Sequence, residues 1–378
     1  MFCGLSKSKG MNVNMFKKLK TNNLITVLII ACMILVTGLM GCENKSSSPS
    51  ASSNKKSQST KTIVDMDGNS VKVPVKVTKV ATSWPGFCNA LFTVSGKNNK
   101  IVATSPAIKK YYPWAIKLYP QLKNISYPFN GQTTNIEQLV KSKPDVAFLR
   151  KGDSIQKVKE AGIPVVMIDY KHNSIEDIIN SVVITGKVLG EDEYKKAEQY
   201  KDYFNKNISK VSSITSKIPE NERPKVIYLS VQNESISVWG KNMPQNETIN
   251  MVGAINEAAN EIDGYKEVSM EQMLKWNPDE IIVDGNLKKS KVAKNPSWKQ
   301  LKAVKDNKVF VSPSGVFSWA RLGTESALQL LWMAKNIYPQ KFEDIDIAKE
   351  TKYFYKNFFE YELKDNEVKE ILNCENPI

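Results

Sequence analysis

One fifteen-residue segment occurs twice in this chain, and that repetition constrains the fold more than any other feature. "NIEQLVKSKPDVAFL" begins at Asn135 and "SMEQMLKWNPDEIIV" at Ser269; aligned without gaps they keep Glu, Gln, Lys and a Pro-Asp pair in register, 134 residues apart. Ile136, Leu139 and Val140 in the first copy, and Met270, Met273 and Leu274 in the second, recur at the period of an amphipathic helix. Proline cannot continue a helix, so Pro-Asp ends it, and the apolar run that follows reads as a buried strand. Ser269 is placed to cap its helix, with Gln272 completing a capping box, and Asn135 with Gln138 makes the same pairing less strictly. A helix-turn-strand corner written twice predicts two similar α/β lobes.

Short apolar strands alternate with helical stretches around both copies. "KVATSW" (79–84), "KIVATS" (100–105), "DVAFLR" (145–150) and "PVVMIDY" (164–170) form one series; "KVIYLSV" (225–231), "SISVWG" (235–240), "EIIVDG" (280–285) and "KVFVSP" (308–313) form the second. Asp67-Gly68, between two alternating runs at the start of the first series, marks a hairpin. The stretch 174–218 between the series is helical, and from Glu191 to about Lys217 one helix would extend about 40 Å at 1.5 Å per residue. Three further helical patterns, "ESALQLLWMAKNIY", "AKETKYFYKNFFEY" and "NEVKEIL", occupy the C-terminal quarter. The predicted architecture is α/β: two similar α/β lobes joined by a long rigid helix, with a ligand cleft between them. The N-terminal lobe spans 62–173, the linking segment 174–218 and the C-terminal lobe 219–378. Ligands of open α/β sheets sit outside the carboxyl ends of the strands, and a cleft brings two such sets of ends face to face.

The first 41 residues differ in kind. Lys17, Lys18 and Lys20 precede "LITVLIIACMILVTGLMG", an uncharged apolar run, and then Cys42. A basic region, an apolar core and a small residue before the processing point describe an export signal; the 18-residue run is also long enough for a membrane-spanning anchor. "LMGC" (39–42) resembles the bacterial lipobox, which implies lipidation of Cys42 and removal of 1–41. The polar, Ser- and Lys-rich stretch 42–61 then reads as a disordered tether. Either way the remainder is expected outside the cytoplasm, anchored to the cell membrane at the cell surface or in the periplasm.

Composition narrows the chemistry. The net charge is +14, and the five lysines of the first 41 residues reduce it to about +9 once they leave. The remaining lysines are mixed with acids and form no stripe with interleaved aromatics, so nucleic acid is not an expected partner. Beyond Cys42 only Cys88 and Cys374 remain, too few for a disulfide framework, and Cys88 among Phe87, Ala90 and Leu91 reads as a buried small hydrophobe. His172 is the sole histidine, so a bare zinc or manganese site built from several His and carboxylate ligands is not expected. No nucleophile elbow, Gly-rich phosphate loop or usable Cys-His or Ser-His spacing points to catalysis. No resident metal or cofactor is expected, and the chain does not read as an enzyme.

Seven segments together carry a family resemblance: "VDMDGNSVKVP", "NIEQLVKSKPDVAFL", "AGIPVVMID", "MVGAINEA", "SMEQMLKWNPDEIIV", "PSWKQLKAVKDNKVFVSPSGVFSWAR" and "LLWMAKNIYP". From Thr62 to Leu372 the chain resembles the substrate-binding lipoproteins of iron-siderophore and cobalamin ABC importers, the helix-linked class of periplasmic binding proteins. The resemblance implies a monomer that captures a metal-chelate small molecule and docks on an ABC permease dimer served by its ATPase. It also implies that Glu137 and Glu271 meet arginines on the two permease subunits; without it, each Glu is a carboxylate in a first helical turn, stabilised by the helix dipole. Ligand-binding candidates from the loops after the strands are Trp84, Phe87, Tyr111, Tyr112, Asn130, Arg150, Lys151, Trp239, Trp319 and Arg321. Aromatics there offer flat apolar walls, and Arg or Lys offers charge for carboxylate, catecholate or phosphate groups; core packing is the competing role for each aromatic, and a solvated surface for Arg150 and Lys151. The expected ligand is a ferric siderophore-like complex. A corrinoid, haem, a nickel chelate and molybdate stand as alternatives, as does a lipid-anchored sensor or adhesion module without transport.

Overall fold

The computed structural model describes residues 59–170, 173–232, 234–285 and 292–377. Cys42 and the apolar run before it, with His172, lie outside the described residues. Among the described residues no helix is long and apolar enough to cross a membrane.

The described chain opens with the hairpin β1 (Thr60–Val64) and β2 (Ser70–Pro74), paired antiparallel. Its turn is organised by the Asp65 carboxylate, which accepts from Asp67 N at 3.0 Å and Asn69 N at 2.8 Å, and reaches Met167 N at 3.2 Å to tie the hairpin to the first lobe. That lobe contains β3 (Val80–Thr82), α1 (Pro85–Ser95), β4 (Ile101–Ala103), α2 (Ala107–Tyr111), α3 (Pro113–Leu118), the two-residue strands β5 (Phe129–Asn130) and β6 (Thr133–Thr134), α4 (Ile136–Lys141), β7 (Val146–Leu149), α5 (Ile155–Glu160), β8 (Val165–Met167) and α6 (Ile175–Leu189). Then α7 (Glu191–Thr215) leads to the second lobe: β9 (Lys225–Gln232), β10 (Ser235–Trp239), α8 (Pro244–Met251), β11 (Ile255–Asn256), β12 (Tyr265–Val268), α9 (Met270–Trp276), β13 (Glu280–Asp284), α10 (Lys302–Lys305), β14 (Val309–Val311), α11 (Ser326–Ile337), α12 (Ile347–Phe358) and α13 (Asp365–Leu372).

The first sheet runs β4-β3-β7-β8, all parallel. The second runs β12-β10-β9-β13-β14, parallel through β9, β13 and β14 and antiparallel at the β10 and β12 edge, with β11 against β9. The eight strands anticipated from sequence are all present, because each is a short apolar run covered on both faces. Alternate residues divide between cores: Val146 and Phe148 face the main core, while Ala147 and Leu149 face a smaller one under α4 and α5. In the second lobe Val226, Tyr228 and Ile282 join the main core, while Ile227, Leu229, Ile281 and Val283 face a second satellite. One apolar core therefore runs through both lobes.

The two copies of the repeat form α4-β7 and α9-β13. Asn135 Oδ1 accepts from Gln138 N at 3.0 Å and Ser269 Oγ from Gln272 N at 3.1 Å, so both caps form. The Gln272 amide donates to Glu261 Oε2 at 3.3 Å instead of turning back to Ser269. The repeated aspartates have matching tasks. Asp145 Oδ2 accepts from Thr78 N at 2.7 Å and Lys79 N at 2.9 Å just ahead of β3, and Asp279 Oδ2 from Lys225 N at 2.8 Å at the first residue of β9. Pro stops the helix and Asp fastens the turn to the next strand.

The helical stretch between the lobes is two helices, broken at Gly190. α6 packs on α1 and on α7. Gly186 permits that close crossing, since a Cβ there would lie 2.7 Å from Glu193 O and 2.8 Å from Ala197 Cβ. At 25 residues α7 extends about 37 Å; Ala197, Tyr200, Phe204, Asn207 and Val211 form its buried stripe against α1 and α11. A second tie joins the lobes at the C-terminus. Lys117 of α3 pairs with Glu367 of α13 at 3.0 Å, Trp114 Nε1 donates to Glu375 O at 3.1 Å, and Ser314 N donates to Ile371 O at 3.1 Å.

Candidate functional site between the lobes

Trp84 follows β3 and precedes Pro85, so its backbone is extended and the proline starts α1. Its ring folds back over Gly86, where an added Cβ would lie 2.0 Å from the indole. There the indole makes edge contacts with Phe87 (centroids 5.4 Å apart), Tyr170 (6.1 Å) and Phe317 (5.4 Å). Tyr112 stacks on the opposite lobe's Phe317 at 4.6 Å. Trp84 and Tyr112 of the first lobe thus hold one aromatic of the second, with Phe87 and Tyr170 packed against Trp84, in the edge and offset geometries that ring quadrupoles favour.

Beside this cluster stand polar groups from the carboxyl end of the second sheet. Asp284 is the last residue of β13, in register with Ser230 of β9. Its Oδ2 lies 3.1 Å from Arg321 Nε and 3.0 Å from Arg321 Nη2, while its Oδ1 accepts from Ser318 Oγ at 3.0 Å. Burial pushes the Tyr112 hydroxyl up to about 12, with the nearby Arg321 charge working the other way. Burial likewise lifts the Cys374 thiol to about 11, helped by the Asp284 carboxylate, which brings the C-terminal tail to the same neighbourhood. Tyr265 of β12 packs on Trp239 with centroids 4.8 Å apart.

The loop that supplies Phe317 and Arg321 hangs on a buried carboxylate. Glu325 is wholly buried and accepts from Phe317 N at 2.6 Å, Tyr355 OH at 2.6 Å, Val316 N at 3.2 Å and Trp319 Nε1 at 3.3 Å. Burial raises it from 4.5 to about 7, against the pull of those donors. Asn89 of α1 accepts from Thr324 N at 2.6 Å, so the same loop is fastened to the first lobe.

A cavity of about 1170 Å³ opens between α2 and α3 of the first lobe and β14 with the C-terminal tail of the second. Lys110, Tyr111, Phe310, Trp332 and Cys374 are among its walls. Tyr111 and Tyr112 divide their tasks: Tyr111 is 60 % exposed beside the cavity, whereas Tyr112 joins the aromatic cluster.

Of the ten ligand candidates, Trp84, Phe87, Tyr112 and Arg321 come together, with Tyr111 next to them. Phe87, Trp239 and Trp319 are buried. Trp319 is spent on Glu325, and Trp239 lies over Tyr228 and Tyr265. Arg150 and Lys151 follow β7; the Arg150 guanidinium sits 3.8 Å from Asp153, and Lys151 is exposed. Asn130 is exposed in the β5-β6 hairpin. Glu137 and Glu271 stand exposed in the first turns of α4 and α9, with Glu137 paired to Lys141 at 2.6 Å. Among the described residues no group of three or more His, Cys, Asp and Glu is placed to hold a metal ion. Sequence reasoning passed over Tyr170, Asp284 and Tyr265. The first two carried a usable signal, since Asp284 closes β13 and Tyr170 follows β8 by three residues, at strand ends that should face the cleft; Tyr265 lies in an edge strand whose alternation is too short to read.

Two lobes with parallel strand ends facing each other across a shared core, and one long helix between them, define the helix-linked class of solute-binding proteins. The chain belongs to the periplasmic binding protein family, whose sequence profile matches residues 95–315. It is similar to a periplasmic solute binding protein from Veillonella parvula DSM 2008, with 31 % identity and a TM-score of 0.75 over 84 % of this chain and 98 % of that one. It is 26 % identical to the molybdate-binding protein MolA of Haemophilus influenzae over 65 % of this chain and 75 % of the relative. It is 24 % identical to the Fe(3+)-citrate-binding protein YfmC of Bacillus subtilis strain 168 over 76 % of this chain and 87 % of the relative. The protein is accordingly a substrate-binding, non-enzymatic component of an ABC transporter.

Proposed function

We propose that this protein captures a ferric chelate of the siderophore or hydroxycarboxylate kind and delivers it to an ABC importer. The observation that carries this reading is the inter-lobe cavity of about 1170 Å³. Pockets for drug-sized molecules occupy about 300–1000 Å³, so the cavity is of the size a wrapped metal needs and far larger than a tetrahedral oxyanion fills. Tyr111 and Trp332 supply flat walls and Lys110 a positive charge, with Trp84, Tyr112 and Arg321 at the adjoining aromatic cluster. The relative named for ferric citrate supports the same chemistry. The relative named for molybdate favours an oxyanion instead, but Arg321, a natural partner for one, is already neutralised by Asp284.

In this reading Cys42 carries the lipid that holds the protein on the outer face of the cell membrane. Ligand entry shifts the lobes slightly about α7, and the loaded form sets Glu137 and Glu271 on arginines of the two permease subunits. Charge pairs of this exposed kind govern register and encounter rate. Tryptophan fluorescence of the purified protein, titrated with ferric citrate, ferric siderophores, cobalamin, haem and molybdate, tests the ligand. Sub-micromolar quenching by a ferric chelate is expected; quenching by cobalamin or molybdate with none by any ferric complex overturns the reading.

A further inference from the structure

We infer that Asp284 is a specificity-determining residue: by occupying Arg321 it makes the cleft reject bare oxyanions and accept anionic ligands that also carry a hydroxyl or amide donor. The inference deepens the ferric-chelate reading and rests on it for the class of ligand.

The geometry gives Asp284 little freedom to withdraw. It closes β13, whose ladder to β9 extends through the Asp284-Ser230 pair, so its backbone is held by the sheet. Ser318 Oγ holds Oδ1 at 3.0 Å, and the guanidinium holds Oδ2 through Nε and Nη2. The carboxylate is mostly buried, with 12 % of its side chain exposed, whereas Arg321 is 46 % exposed. An incoming anion can therefore reach the guanidinium, yet it meets the carboxylate behind it at short range and with little water between. Like charges so placed repel strongly at a reduced dielectric. A tetrahedral oxyanion brings four acceptors and no donor, so it gains Arg321 and faces Asp284 unrelieved. A ligand with a carboxylate and a hydroxyl or amide N–H both left free of the metal places the acid oxygens on Arg321 and donates to Asp284, satisfying both halves of the pair. Tyr112 and Tyr265 lie within the field of the guanidinium, the Tyr265 hydroxyl being engaged with Ser230 Oγ at 2.5 Å.

The test compares wild type, Asp284→Asn and Asp284→Ser by isothermal titration calorimetry of the whole protein. Sodium molybdate and sodium sulfate serve as donor-free oxyanions, and the ferric complex of succinylated desferrioxamine B, whose carboxylate and amide N–H groups stay free of the iron, as the donor-bearing chelate. Thermal melting shows that each variant is folded, and Asp284→Ser carries the comparison if Asp284→Asn is not. Wild type is expected to bind the succinylated ferrioxamine at least tenfold more tightly than molybdate. Removing the carboxylate should tighten the oxyanions about 10- to 100-fold, a gain abolished by adding Arg321→Gln, and should weaken the succinylated ferrioxamine. Opposite movement of the two ligand classes is a result that loss of packing does not produce. An unchanged preference in the folded variants, or no binding of any probe to wild type and variants alike, overturns the inference. If the succinylated ferrioxamine binds to none of the proteins while the oxyanions still gain on removal of Asp284, the exclusion stands and the ferric-chelate reading fails.

Discussion

Replacing Glu325 by glutamine should raise the stability of the variant relative to wild type by about 3 kcal/mol between pH 5 and pH 8. The carboxyl is wholly buried, and desolvation lifts it from 4.5 to about 7 despite the Phe317, Val316, Tyr355 and Trp319 donors around it. At about 1.4 kcal/mol per pH unit this displacement corresponds to about 3 kcal/mol. The direction follows from proton binding. Between pH 4.5 and 7 the folded state holds a proton that the unfolded state has released, so the contribution of this group is complete below 4.5 and lost as pH rises through 7. Glutamine, which does not titrate, removes that slope. At pH 5 both side chains are neutral, but the glutamine NH2 must face either Phe317 N or the Val316 N and Trp319 Nε1 pair, so the variant should start below wild type by about 1–3 kcal/mol. Relative to that starting difference the variant should gain about 6 °C by pH 8, taking about 2 °C per kcal/mol for a domain of this size. Near-ultraviolet circular dichroism melts at pH 5, 6, 7 and 8, at fixed ionic strength, give the comparison. Subtracting one curve from the other cancels Glu247 and Glu280, which burial also raises. A difference that stays constant with pH, or that moves against the variant between pH 5 and pH 8, refutes the reasoning, since desolvation would then not be holding the carboxyl protonated.

Glu137→Ala combined with Glu271→Ala should leave ligand affinity in calorimetry within about twofold of wild type while lowering uptake in whole cells at least tenfold; native uptake sinks the docking assignment. Gly186→Ala should destabilise the fold by about 1–3 kcal/mol in urea titration, because the methyl has to push α6 away from the α7 backbone. Gly86→Ala should displace the Trp84 indole, shift its emission and weaken ligand binding; an unchanged spectrum refutes that placement. Asp145→Ala should cost about 0.5–1.5 kcal/mol in the same titration, since the exposed Thr78 N and Lys79 N exchange the carboxylate for water.

The parts that sequence made legible share a physical property: they are local. Strands covered on both faces appear as short apolar runs, and α7 declares itself through one buried stripe from Ala197 to Val211. The repeat disclosed two equivalent corners, though the aspartates' reach to neighbouring strands, over sequence separations as large as 67 residues, was invisible in it. The start of the long helix at Glu191 was legible too, and Gly190 is where α6 ends and α7 begins. The site was half legible for a related reason. Trp84, Tyr112 and Arg321 stand out by type and position after strands, but Tyr112 is defined by Phe317, 205 residues away, and Arg321 by Asp284. Contacts between loops of different lobes leave no periodicity to read.

The aspartates behind the repeated corners also govern something distant from themselves. Helices of six and seven residues do not persist unaided in water, so α4 and α9 take their attitude from what they abut. Each carries a surface glutamate in its first turn and, eight residues later, an aspartate bolted to the adjoining strand. The glutamates are in effect outriggers of the sheets: their spacing across the molecule is set by interior joinery. A substitution at Asp145 or Asp279 would therefore misplace a surface charge without altering it, and two proteins with identical outer faces could present them to a partner at different angles.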